Sequence, residues 1–394
     1  MSEQAAGREG RTFAVRVSLL FGAIFVVAGI NLPYFPVWLD GQGLGPRDIA
    51  IITSAPLFVR VLVTPAIAFA ADRSGDHRLF LVALAWAALT ALVALSQSSG
   101  FWPVLMCTIA FALAWTTIMP LTETLALSGV RNAGLDYGRM RLWGSLTFIA
   151  ATLVGGWVIA TLGSPAVIWL TVTGGVLVTM AAHAVVRPAG WGQARKAAPR
   201  LRLSDAAGLL RNGSFLLFLL AAGAIQAAHG TFYTFGTVHW ATLGISTSWA
   251  GALWGIGVIA EILLFMYSAR VLARIGPVGL IALGGAAAVV RWFAMGFDPS
   301  LAWLVPLQVL HGLTFGATHL GAIHYIGRAV PESQGGTAQA LYASVTSGIA
   351  MGSAMLTSGA LYAAFAGRAY WVMALIALAG LAAAFALSRR RDVA

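Results

Sequence analysis

The feature that most constrains this chain is a succession of apolar runs, each long enough to cross a bilayer, separated by short breaks of glycine, proline and charge. A membrane helix needs about 20 apolar residues to traverse roughly 30 Å of hydrocarbon. Runs meeting that condition predict helices over 14–38, 47–71, 78–97, 101–128, 138–162 and 165–186, and again over 212–241, 247–272, 277–296, 300–328, 334–364 and 368–388. Only 9% of the 394 residues are charged, against roughly 25% in soluble domains, so the chain has too little charge to cover a water-facing surface. The expected fold class is an all-α membrane protein with 12 transmembrane helices. Arg8, Arg11 and Arg16 ahead of the first run imitate a signal peptide, but Asn31-Leu-Pro-Tyr-Phe-Pro36 stands where a small-residue cleavage site belongs. The run reads as a retained helix.

The net charge of +11 comes from short clusters between apolar runs and forms no basic face with interleaved aromatics, which argues against nucleic acid. Topology explains it better. The N-terminus, the breaks near Arg73/Arg78, Arg131/Arg139/Arg141, Arg187–Arg211, Arg270/Arg274 and Arg328, and the tail Arg389–Arg391 hold 20 of the 24 basic residues. The alternate breaks hold only Arg47 and Arg368, and Arg60 and Arg291 fall inside helices. By the positive-inside rule both termini are cytoplasmic, and the expected location is a bacterial inner membrane. Trp38, Trp102, Trp240, Trp249 and Trp303 fall near the arginine-poor ends, where an interfacial aromatic belt is expected. The single cysteine, Cys107, sits in an apolar run and cannot form an internal disulfide.

The chain also repeats itself. Ala71-Asp-Arg-Ser-Gly75 after the second helix and Leu272-Ala-Arg-Ile-Gly276 after the eighth lie 201 residues apart. This implies two six-helix halves, 1–186 and 212–394, joined by a cytoplasmic linker over 187–211. Parallel six-helix repeats are the layout of major facilitator transporters, in which the solute site lies between the halves near the midplane. Asp72-Arg73-Ser74-Gly75 resembles the signature of that superfamily, although Ala68 replaces its first glycine and Asp76-His77 its basic pair. Pro120-Leu-Thr-Glu-Thr-Leu-Ala126, Leu135-Asp-Tyr-Gly-Arg-Met-Arg-Leu-Trp-Gly-Ser145, Val258-Ile-Ala-Glu261, Val290-Arg-Trp292, Leu310-His311 and His319-Leu320 resemble bacterial 3-phenylpropionate permeases. More distantly, Gly138-Arg-Met-Arg141, Arg291 and His311 are similar to functional positions of proton-coupled galactoside permeases. Those carriers keep a proton-binding glutamate one turn after the histidine, where this chain has Thr314, and they carry helix-seven aspartates where Tyr233 and its neighbours are uncharged. Their proton site therefore does not transfer.

Four ionisable residues lie deep in apolar helices: Arg60, Glu123, Glu261 and Arg291. Each costs about 2.5–3.5 kcal/mol at a helix centre, so each should have a compensating role. One reading makes them structural ion pairs, Glu123 with Arg60 or Arg141 and Glu261 with Arg291. The other makes one carboxylate a proton carrier alternating between protonated and paired states. Glu261 is the first choice, with Glu123 and His311 beside it: it is near the middle of helix eight, with Trp254 two turns earlier on the same face, and stands 201 residues from Arg60. Gln226, His229 and Tyr233 share a stripe of helix seven, and His311, Thr314 and Thr318 one of helix ten. Such stripes face water or solute, or act as hydrogen-bonding glue between helices. The spacing of His311, His319 and His324 offers no tight metal-ligand pair.

For an organic carboxylate, Arg60 or Arg291 offers a bidentate fork, with Trp115, Tyr233 and Trp254 as ring contacts or plain packing, and Asn31 at the broken end of helix one. Asp72 and Arg73 belong to the cytoplasmic latch that the resemblance implies, and Asp136, Arg139 and Arg141 are further gating or structural candidates. Gly251-Ala-Leu-Trp-Gly255 and Gly348-Ile-Ala-Met-Gly352 allow close helix contact. The expected function is a secondary transporter, working as a monomer without a cofactor, that takes up a small organic solute with protons. An aromatic carboxylate is the preferred solute, with a sugar or nucleoside as alternatives. A drug or metabolite exporter on the same fold is the first competitor. An intramembrane enzyme is the second, and the chain offers no Ser/His/Asp set, HExxH helix or phosphate loop for it.

Overall fold

The computed structural model describes residues 3–186 and 203–390, except the side chains at 3–7, 72 and 203. The described residues are helical throughout their regular structure, with no strand among them. Six helices come first: α1 (Glu3–Gly41), α2 (Pro46–Ser74), α3 (His77–Ser96), α4 (Phe101–Ala133), α5 (Tyr137–Leu162) and α6 (Ala166–Ala184). A short α7 (Leu203–Arg211) precedes the seventh pass, which is split into α8 (Gly213–Ala227) and α9 (Gly230–Thr242). The eighth pass is α10 (Thr247–Met266) and the ninth lies in α11 (Ser268–Met295). The tenth runs α12 (Leu301–Val309), a π-helical segment Gly312–Ala317 and α13 (Thr318–Ala329). The eleventh runs α14 (Gly335–Ala343), a π segment Ser344–Ala350 and α15 (Met351–Phe365), and α16 (Ala369–Ser388) is the twelfth.

Among the described residues, eleven continuous helical stretches are long and apolar enough to span a bilayer, and the last of them, Glu332–Ser388, contains two passes. The turn between those two is at Ala366, which takes a left-handed φ of 47°. Large apolar side chains cover the outside: Leu62 is 77%, Trp102 70% and Trp303 69% exposed. In water such a surface would not be tolerated, whereas lipid tails solvate it. The chain is a multi-pass membrane protein.

Two glycine pairs mark the repeat in the backbone. Gly75 and Gly276 have φ of 72° and 68°, and Gly43 and Gly244 share φ of 77°, each pair 201 residues apart. Left-handed conformations cost an L-residue roughly 1–2 kcal/mol, which glycine avoids. The chain divides into two compact units. The first comprises Met1–Leu44, Val59–Ala198 and Ser246–Ala252; the second comprises Gly45–Phe58, Pro199–Ile245 and Leu253–Ala394. Each therefore includes one short segment from the opposite sequence half.

Three expectations change. The predicted helix over 212–241 is split at Ala228–His229 into α8 and α9. The predicted helix over 247–272 breaks at Tyr267, and Ser268–Ile275 forms a separate turn before the kink at Gly276–Pro277. Trp38 and Trp240 are 2% and 1% exposed and so are core residues, while Trp102, Trp249 and Trp303 remain outside. Trp38 stacks on Phe35 at 5.7 Å, and Trp240 meets Phe232 edge-on at the same distance. Side-chain packing inside each unit overrides their position near the helix ends.

Candidate functional site

The second unit holds a fully buried arginine. Arg291, near the end of α11, is 0% exposed. Its Nη1 donates to Nδ1 of His311 and to Oγ1 of Thr314, both at 3.1 Å, and its Nη2 donates to Oε1 of Gln308 at 2.7 Å. These acceptors come from one stripe of the tenth pass, at positions 308, 311 and 314. Because Nδ1 of His311 must offer a lone pair to accept that bond, the ring is neutral in this arrangement. The guanidinium carbon lies 5.0 Å from the ring centre of Phe232 and 4.5 Å from that of Trp292. Aromatic faces this close stabilise a cation removed from water. Nε of Arg291 and Nε2 of Gln308 are buried without a hydrogen-bond partner.

Breaks in helix geometry bring the seventh pass into this network. Between α8 and α9, His229 places Nδ1 3.0 Å from the carbonyl of Gln226 and Nε2 3.0 Å from Oγ1 of Thr314. A carbonyl only accepts, so Nδ1 carries the hydrogen of the neutral ring and the Thr314 hydroxyl donates to Nε2. Thr314 thus joins His229 to Arg291 from within the π segment Gly312–Ala317, a geometry that recurs at functional sites. Gln226 donates to the carbonyl of Phe315 at 3.4 Å, leaving its own Oε1 unpartnered. His229 stacks on Tyr233 at 5.5 Å, Tyr233 on Trp254 at 5.9 Å, and Trp254 on Phe232 at 4.7 Å. The indole of Trp254 donates to Oγ1 of Thr237 at 3.2 Å. Of these stacked rings only Tyr233 is partly exposed.

Glu261 lies on α10 beside this cluster. A Cβ placed on Gly316 would sit 3.3 Å from Cγ of Glu261, and one on Gly312 would sit 2.8 Å from the carbonyl of Ala260. The two glycines therefore let the π segment press against α10. Glu261 is half-buried and within electrostatic reach of Tyr233.

In the first unit, the half-buried Glu123 accepts from the hydroxyl of Tyr137 at 3.5 Å and lies within electrostatic reach of Arg141. Arg141 in turn lies 4.1 Å over the ring of Phe25. Arg141, not Arg60, is thus the arginine beside Glu123. Arg60 is half-buried and makes no hydrogen bond or ion pair among the described residues. Trp115 stacks on Phe111 at 5.2 Å, and Asn31 is half-buried in α1. Asp136 caps α5 by accepting from the backbone N–H of Arg139 at 3.1 Å, and the Arg139 side chain is exposed. Arg73 is exposed in the last turn of α2, while the side chain of Asp72 lies outside the described residues.

Gln226, His229, Tyr233, Trp254, Arg291 and His311 therefore converge within one unit. Gln308, Phe232, Trp292 and Tyr370 belong with them and stand out less in the sequence. Gln308 extends the polar stripe of the tenth pass by one turn, a signal that was present. The three aromatic residues carry no such mark, because buried rings are common in any apolar helix.

A family model described as the MFS_1 like family matches residues 15–373. The chain is 31% identical over 370 residues to "Probable 3-phenylpropionic acid transporter" of Escherichia coli (strain K12), covering 92% of this chain and 94% of the relative. It is 30% identical over 395 residues to "Maltose permease" of Geobacillus stearothermophilus, covering 95% of each. The crystal structure of the nucleoside transporter NupG superposes with a TM-score of 0.83 at 17% identity, over 96% of this chain and 100% of that one. The chain belongs to the MFS_1-like family and is a major facilitator transporter, not an enzyme.

Proposed function

We propose that this transporter takes up an aromatic carboxylate together with protons, across a bacterial inner membrane and as a monomer, with the arginine-rich ends of its helices in the cytoplasm. The observation that carries the reading is Arg291: a fully buried guanidinium held by three uncharged side-chain acceptors and flanked by aromatic rings. A cation at such depth is costly to insert, and its positive field favours an anionic solute. The stack that ends on the part-exposed Tyr233 suits a flat ring. The 31% identical relative named for 3-phenylpropionic acid supports the same chemistry.

Glu261 is the proton carrier in this reading, and the Arg291–His311 bond responds to it. A proton on Nδ1 of His311 and the hydrogen bond from Arg291 exclude one another, so changes in protonation rearrange the fork. Alternating access then exposes the loaded site to each side of the membrane in turn. Uptake of labelled 3-phenylpropionate into energised vesicles tests the proposal, with maltose and uridine in parallel. Accumulation of the aromatic acid that collapses with a protonophore is the expected result. Accumulation of maltose or uridine alone would overturn the aromatic assignment, and expulsion of the acid would favour an exporter.

A further inference from the structure

A second polar cluster lies at the arginine-poor end of the same unit, apart from the Arg291 network. His239, near the end of α9, is 4% exposed. Its Nε2 lies 2.8 Å from Oδ1 of Asp298 in the turn after the ninth pass, and its Nδ1 lies 3.1 Å from the hydroxyl of Tyr362 on α15. A carboxylate only accepts, so in the neutral ring Nε2 carries the hydrogen and the Tyr362 hydroxyl donates to Nδ1. Asp298 reaches solvent, with its side chain 44% exposed. Among the described residues, Asp298 and Ala366 are the only non-glycines with a left-handed backbone, at φ of 52° and 47°. Both turns converge here: a Cβ on Gly367, next to Ala366, would collide with Asp298 and His239. Strain gathered around one titratable pair marks a site that the fold maintains at some cost.

The connection inward is Tyr370 on α16. Its hydroxyl is buried without a hydrogen-bond partner, and it lies within electrostatic reach of Tyr362, Asp298 and Arg291. Its ring stacks on Trp292 at 5.9 Å and meets His239 edge-on at 6.4 Å. We propose that His239, held between Asp298 and Tyr362, is a second proton-binding site, and that Tyr370 links its occupancy to Arg291. The proton comes from water and binds Nδ1, giving an imidazolium that donates to Asp298 from Nε2 and to the Tyr362 oxygen from Nδ1. The Tyr362 hydroxyl hydrogen, no longer bound to Nδ1, turns away. Of the other elements around α9, α15 brings Tyr362, α16 brings Tyr370, α10 brings Glu261, placed at Tyr233, α11 brings Arg291, placed over Phe232, and the turn after α15 brings Arg368, placed over Trp371.

The site deepens the proton-symport reading, and two measurements separate them. In histidine NMR spectra of the purified protein, the signal lost in His239→Asn should respond to pH, as a proton-binding imidazole does. Asp298→Asn keeps a residue tolerant of the left-handed turn and should alter that response, because it removes the carboxylate that accepts from Nε2. In proteoliposomes, His239→Asn and Tyr370→Phe should each abolish stimulation of 3-phenylpropionate uptake by external acid, and in His239→Asn solute counterflow should stay within about twofold of wild type. No titration of His239, or acid-stimulated uptake unchanged in both variants, overturns the proposal. Equal loss of uptake and counterflow also overturns it, leaving a structural clamp. Titration of His239 in a wild type whose uptake ignores acid contradicts the symport reading and the link through Tyr370, while the binding site itself stands.

Discussion

Nη1 of Arg291 donates to Nδ1 of His311 across 3.1 Å, within a unit in which neither residue is appreciably exposed. That one bond fixes the protonation state of the ring, since a protonated Nδ1 would confront the guanidinium N–H. His311→Asn separates accepting that bond from binding a proton. An asparagine Oδ1 can still accept from Arg291 but cannot take a proton, so uphill uptake should fall by about tenfold or more while counterflow stays close to wild type. Equal loss of both would reduce His311 to a packing role.

Glu261→Gln removes the ionisable carboxyl beside the π segment while keeping its shape. We expect uphill uptake to vanish and solute exchange to persist, as befits a group that carries the proton and not the solute. Surviving uphill uptake would reassign the proton to another residue.

Thr314→Val deletes the hydroxyl that joins His229 to Arg291 at 3.0 and 3.1 Å. Leaving buried partners unpaired costs about 1–3 kcal/mol, so the thermal unfolding midpoint in detergent should drop. Thr314→Ser keeps the hydroxyl and should restore most of it. A valine variant as stable as wild type would mean that the bridge contributes little.

In the first unit, the hydroxyl of Tyr34 donates to the carbonyl of Thr152 at 2.6 Å, close to Gly251. A methyl group at Gly251 would collide with both atoms, and overpacking of this kind costs about 1–3 kcal/mol. Gly251→Ala should lower the unfolding midpoint and slow transport, whereas Tyr34→Phe, which removes only the hydrogen bond, should cost about 1 kcal/mol. The reverse order of severity would contradict this packing.

Much of the fold is legible in the sequence because hydrocarbon thickness fixes how long an apolar run must be. The 201-residue spacing of Gly75 and Gly276 is legible for a related reason: the left-handed turns there need glycine. The breaks that shape the site are not legible. The turn at Ala228–His229 and the π segments Gly312–Ala317 and Ser344–Ala350 arise where packing overrides an uninterrupted helical run. The site is legible in part. Arg291, His311 and His229 stand out as polar residues in apolar surroundings, but that Arg291 would choose Gln308 and Thr314 depends on how α11 meets the tenth pass. The short-range readings fail similarly at Trp38 and Trp240, which nearness to a helix end does not keep outside.

The measurement that bears most directly on the account is proton movement driven by solute alone. Adding 3-phenylpropionate outside de-energised, lightly buffered cells that express the protein should alkalinise the medium, and cells expressing Glu261→Gln should not. Entry of the labelled acid without alkalinisation, or with acidification, would contradict proton symport.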